Sequence, residues 1–132
     1  MKQLNIPFKL GMQYEDWEFE LEMIKDRFQG CDSYKYEGTE LNKFLNKHSD
    51  ETELLFTLEI LEAVILTFKD KSPQFYKNIQ LIITRTNKLK SNLCIDEYTK
   101  YNVQISYFYK RNNVYIIYAR NSLIKDLLNS IR

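Results

Sequence analysis

Strand alternation and helical spacing both occur in this chain, and together they predict an α+β fold: helices packed on a small antiparallel sheet that includes a C-terminal β-hairpin. The strand evidence is Val103, Ile105, Tyr107 and Tyr109 alternating with Gln104, Ser106 and Phe108, then Val114, Ile116 and Tyr118 beyond a turn at Lys110 to Asn113. The helix evidence is Ser72 followed by Pro73, with Phe75, Ile79, Ile82, Thr86 and Leu89 on one face. With 132 residues, 44% of them hydrophobic and 28% charged, the chain reads as a single domain, 1–132, able to bury a core without disulfide or metal.

Residues 13–29 fit two patterns. Tyr14, Trp17, Leu21, Ile24 and Phe28 recur at helical spacing before Gly30, a C-cap residue. The same stretch alternates Trp17, Phe19, Leu21 and Met23 against Asp16, Glu18, Glu20 and Glu22, which is a strand with a carboxylate ladder. Periodicity leaves helix and strand both open here. Tyr34 to Glu37 reads as a short extended piece ended by Gly38, and Thr39 as the cap of a short helix turning Leu41, Phe44 and Leu45 inward.

Asp50 and Glu53 have capping-box spacing, and Leu54, Leu58, Leu61, Ile65 and Phe68 follow at helical intervals, so 51–68 is expected to be a mostly buried helix. Val64, Ile65 and Thr67 make a strand pair the competing assignment. The Ser72–Pro73 helix is expected to run to about residue 90, the hairpin to occupy 103–118, and Ser122 to cap a last helix carrying Leu123, Leu127, Leu128 and Ile131.

Charge is sorted along the chain. Residues 1–12 hold two lysines and no acid; residues 13–62 hold 14 acids against five bases; residues 63–132 hold 12 bases against four acids. The net charge of +1 hides this separation, which favours recognition of an oppositely charged surface over chemistry. No catalytic site is expected. The one histidine, His48, sits in the polar run Asn46 to Asp50, and proximity in sequence to Ser49 and Asp50 does not make a triad. No HxxxH, HExxH or paired CxxC supplies metal ligands, and three scattered glycines build no phosphate loop, so no cofactor or metal is expected. Cys31 and Cys94 read as reduced cysteines, and the N-terminal MKQLNIPFKLG has no signal-peptide core. A soluble cytoplasmic protein without a membrane span is the expectation.

Two surfaces remain as candidates for binding. Glu15, Asp16, Glu18, Glu20 and Glu22, joined by Asp50, Glu51 and Glu53, form an acidic set with Trp17, Tyr34 and Tyr36 as anchors where exposed. Carboxylates of this kind suit a Lys- and Arg-lined cleft that otherwise holds phosphates. The alternative is the hairpin, where Tyr107, Tyr109, Lys110, Arg111, Tyr115, Tyr118 and Arg120 have the composition of a single-stranded RNA platform. Three of those tyrosines share faces with Val and Ile, which assigns much of the aromatic content to the core. Opposite charges in the two halves also allow a homodimer.

The segment QYEDWEFELEMIKDRFQGCDSYKYEG, the acidic tyrosine-rich first half and the prevalence of Lys, Asn, Ile, Tyr and Phe give the chain a resemblance to immunity proteins of bacterial polymorphic-toxin systems, of the Maf type among them. The likeness spans the whole chain in size and character and rests on no short motif, so no residue role is carried over. It implies a cytoplasmic, non-enzymatic inhibitor that binds the C-terminal domain of a cognate secreted toxin, a nuclease, and occludes its substrate cleft.

Overall fold

Four residues that leave the usual backbone region set the middle and the end of the chain. Leu58 (φ 50°) and Glu59 (φ 67°) form one two-residue turn, and Arg111 (φ 51°) and Asn112 (φ 65°) form another. Positive φ at both central positions gives a turn whose twist matches that of the strands it joins. In the computed structural model, which describes residues 8, 10–27, 30–38, 43–44, 47–86, 93–95 and 102–131, these turns close the hairpins β5 (Glu51–Thr57) with β6 (Ile60–Phe68) and β8 (Asn102–Lys110) with β9 (Asn113–Arg120).

The second hairpin agrees with the alternation read from the sequence. The first replaces the buried helix expected over 51–68. The helical spacing is broken in fact by Leu58, which is 89% exposed in the turn, while every residue from Leu61 to Phe68 is buried, so either period can be drawn through that part of the run. Pairing shifts between Leu55, opposite Ala63, and Phe56, opposite Leu61, so β6 carries one extra residue, Glu62, at a bulge.

The remaining strands are β1 (Leu21–Met23), β2 (Asp32–Tyr36), β3 (Lys43–Phe44), β4 (Lys47–His48) and β7 (Leu93–Ile95). Seven of the nine form one antiparallel sheet in the order β1-β2-β5-β6-β9-β8-β7, larger than the small sheet anticipated; β3 and β4 pair separately. The short extended piece before Gly38 is β2. Of the expected 13–29 element, the described residues 13–27 are neither one helix nor one strand. Two 3-10 turns, Tyr14–Asp16 and Glu18–Glu20, lead into β1, and only Glu22 of the expected carboxylate ladder lies in a strand. Phe44 is buried but in β3, and the rest of the helix expected after Thr39 falls outside the described residues.

The two α-helices are α1 (Pro73–Thr86) and α2 (Asn121–Ile131). Ser72 Oγ accepts the Phe75 N–H at 3.2 Å, the cap read from the sequence; residues 87–90 lie outside the described part. Helix α2 begins directly after β9, so Ser122 is in its first turn and not its cap.

Two buried clusters lie on the sheet. One gathers Leu54, Phe56, Val64, Leu66, Ile105, Ile116 and Tyr118 with Ile79 and Ile83 of α1 and with Phe8 and Leu10. The other gathers Leu55, Ala63, Ile65, Ile117 and Ala119 with Cys31 and Leu127 of α2. Full burial of each leucine, isoleucine or phenylalanine contributes about 1.5–3 kcal/mol. Tyr118 ties the N-terminal segment across the first cluster, its hydroxyl accepting the Phe8 N–H at 3.0 Å and donating to the Phe8 carbonyl at 2.9 Å.

Candidate functional site

Strand order turns the linear charge sorting into a lateral one. The acidic stretch 13–62 supplies β1, β2 and β5, and the basic stretch 63–132 supplies β9, β8 and β7, with β6 at the seam. The acids therefore gather toward the β1 edge.

They do not gather on one surface. Glu22 of β1, Lys35 of β2 and Glu53 of β5 stand opposite one another across the strands. Arg27 grips Glu53 with two bonds, Nε to Oε2 at 2.6 Å and Nη2 to Oε1 at 2.9 Å. Lys69 donates from Nζ to Glu51 Oε1 at 2.7 Å and from its backbone N–H to Asp50 Oδ2 at 2.7 Å. The hydrogen bond to Glu51, and then its charge, hold the Lys69 ammonium above its usual range. Arg27, Lys35, Glu51, Glu53 and Lys69 line a cavity of about 350 Å³ bordered by Thr67, Tyr115 and, from the end of α2, Ile131. Glu51 and Glu53 are thus matched by cations of the same chain, which leaves little negative field for a partner.

The other predicted acids fare differently. Glu15, Asp16 and Glu18 are exposed on the two 3-10 turns, and Glu22 is exposed on β1. Glu20 is half-buried, turned toward the Tyr36 phenol, and a Cβ at Gly38 would run into both groups. Glu22 meets Glu37: their carboxyl groups hydrogen-bond, which raises the Glu37 carboxyl above its usual range, with the Glu22 charge and slight burial adding to it and Lys35 opposing.

Exposure is the condition for an anchor, and Tyr36, 5% exposed, does not meet it. Trp17 is half-buried edge-on to Phe8, ring centres 5.7 Å apart. Tyr34 is half-buried in an aromatic group, 4.9 Å from Tyr14 and 5.6 Å from Phe56. Burial raises its hydroxyl pKa first, and Tyr14, Asp32, Asp26 and Glu59 raise it further. Three acids absent from the predicted set, Asp32, Asp26 and Glu59, therefore act on this hydroxyl.

Sequence reading also missed the apolar part of the surface. Phe19 is 95% exposed, Met23 74% and Leu58 89%, although alternation had turned Phe19 and Met23 inward with Leu21. Met23 stands opposite Tyr34, and the Tyr14 N–H donates to the Glu59 carbonyl at 2.7 Å, which brings the Leu58–Glu59 turn beside the same rings.

Hairpin tyrosines sit as expected. Tyr118 is buried, Tyr107 and Tyr109 pack on the first cluster, and Phe108 stacks on Tyr115 at 4.9 Å. His48 is exposed on β4. Among the described residues no three His, Cys, Asp or Glu side chains converge as metal ligands, and no helix is long and apolar enough to cross a membrane. No protein-family model, curated protein or solved structure matches this chain.

Proposed function

We propose that this protein is a stoichiometric inhibitor of a basic protein partner, of the immunity kind: it binds the C-terminal domain of a cognate secreted toxin, a nuclease, inside the producing cell and covers the phosphate-binding cleft without catalysis or cofactor. The observation that carries the reading is the 14–26 segment, where six acids against one base accompany two exposed apolar side chains, Phe19 and Met23. Apolar anchors inside a charged rim are the composition of a protein-binding patch, since the anchors supply affinity and the rim steers encounter. In this reading α1 and α2 each pack on one sheet face, leaving the β1 side as the working one.

The test is co-purification with the domain encoded by the neighbouring gene, followed by association kinetics. A one-to-one complex is expected, forming more slowly as salt rises because charges beyond about 8 Å are screened at physiological ionic strength. The charge reversal Glu15→Lys, Glu18→Lys, Glu22→Lys should slow association about tenfold or more. Unchanged association kinetics would sink the assignment of this surface, and steep salt-dependent binding of single-stranded RNA by the parent protein would replace it with the RNA-binding alternative.

A further inference from the structure

Strand β1 is the last strand of the sheet among the described residues, and its backbone is half used. Ile24 donates to the Ser33 carbonyl at 3.1 Å, and Glu37 donates to the Glu20 carbonyl at 2.8 Å. In an antiparallel ladder this places the hydrogen-bonding groups of Glu20, Glu22 and Ile24 toward β2 and those of Leu21 and Met23 away from it. The Leu21 N–H returns to the Glu18 carbonyl, closing the second 3-10 turn. Among the described residues, the Leu21 carbonyl and both backbone groups of Met23 are left along the outer edge. Natural sheets guard such edges by keeping them short or by placing proline, a bulge or a charge on them. Leu21–Met23 is short and carries Glu22, but it has no proline and no bulge, so an extended segment that brings a cation to Glu22 meets no steric block.

The two sides of this edge differ in chemistry. Met23 shares a side with Tyr34 and Leu21, and Phe19 is exposed just before it. Glu22 points to the opposite side, where its carboxyl meets that of Glu37. Two neighbouring carboxyl groups repel when both ionise; Lys35, opposite Glu22, opposes this without cancelling it, so a further cation placed beside the pair relieves the repulsion.

We propose that the partner engages this edge by strand addition: an extended segment whose apolar residues face Met23 and whose alternate Lys or Arg residues face Glu22 and Glu37 pairs with β1 and lengthens the sheet. The inference rests on the reading of the acidic segment as the working surface and goes further by fixing the shape and pattern of what is bound. A period of two in the ligand matches the alternation of the edge, and the main-chain bonds supply affinity that no side chain need provide.

The experiment uses a short synthetic peptide alternating lysine and valine, with a glutamate and valine peptide as control, and follows amide hydrogen exchange by NMR. Binding of the lysine peptide should slow exchange at the Met23 amide about tenfold, leave the Glu22 amide nearly unchanged because it is already bonded, and not occur with the control. Met23→Pro, which removes the outward N–H and fixes φ at that position, should weaken binding about tenfold, and Met23→Ala less. Because the proline variant can fail to fold, protection in the parent protein decides on its own. Binding that protects other amides, such as those around the cavity lined by Arg27 and Lys69, overturns strand addition. Loss of binding in the Glu18→Lys, Glu22→Lys variant without Met23 protection does the same while leaving the electrostatic reading intact, and a peptide that does not bind at all refutes the edge proposal.

Discussion

Glu22 and Glu37 show how a single pair of side chains can set a pH response. The Glu37 carboxyl is raised by its hydrogen bond to Glu22, so the folded protein holds that proton more tightly than the unfolded chain does. The associated stability is complete below the ordinary carboxylate value and is lost as pH rises through the raised one. Replacing Glu37 by Gln should therefore flatten the dependence of Tm on pH between mildly acidic and neutral conditions and raise Tm at neutral pH; superimposable curves would show that the pair does not form in solution. A second residue carries more weight. Tyr118→Phe removes the acceptor for the Phe8 N–H and the donor to the Phe8 carbonyl, both buried, at a cost of about 1–3 kcal/mol. Urea unfolding should report this as a lower midpoint with an unchanged slope.

Among elements, the β5–β6 hairpin holds strain that substitution can relieve. Leu58 and Glu59 occupy left-handed backbone, where neither side chain is favoured, while Asn and Gly are. The double change Leu58→Asn, Glu59→Gly should raise stability by about 1 kcal/mol, seen as a higher Tm; a fall would mean that Leu58 contributes contacts its 89% exposure does not suggest. The same hairpin explains what could be read in advance. Strands β8 and β9 were legible because their turn carries Asn112 and their alternation spans both arms. Strand β6 was legible only as the competing strand pair suggested by Val64, Ile65 and Thr67, because it lies between β5 and β9 and is buried from Leu61 to Phe68, Glu62 and Thr67 included, so its apolar residues follow no clean period of two. The 3-10 turns of 14–20 were illegible for another reason: three residues are too few to establish a repeat. Helix α1 announced itself through Ser72 and Pro73, signals that act locally and need no tertiary context.

For the whole molecule, the sorted charges are legible in the sequence but their meaning depends on strand order, which puts the acidic stretch on the β1 side and the basic stretch beyond β6. Composition could not foresee that Glu53 meets Arg27, 26 positions away, or that Glu51 meets Lys69, 18 positions away; pairs this distant are made by strand register and not by local spacing. Part of the predicted acidic set is consequently internal to the molecule's own charge balance, and the exposed part is concentrated in residues 15–22. The Phe8–Tyr118 tie has a different reach, into synthesis. Its two ends are 110 positions apart, so Phe8 leaves the ribosome long before the residue that anchors it. The β5–β6 hairpin can close early on the nascent chain, but the β9 flank of β6 stays open until nearly the whole sequence has emerged, an apolar strand edge exposed for as long as translation takes. Slowing translation beyond residue 68 would lengthen that exposure, and with it the need for a chaperone.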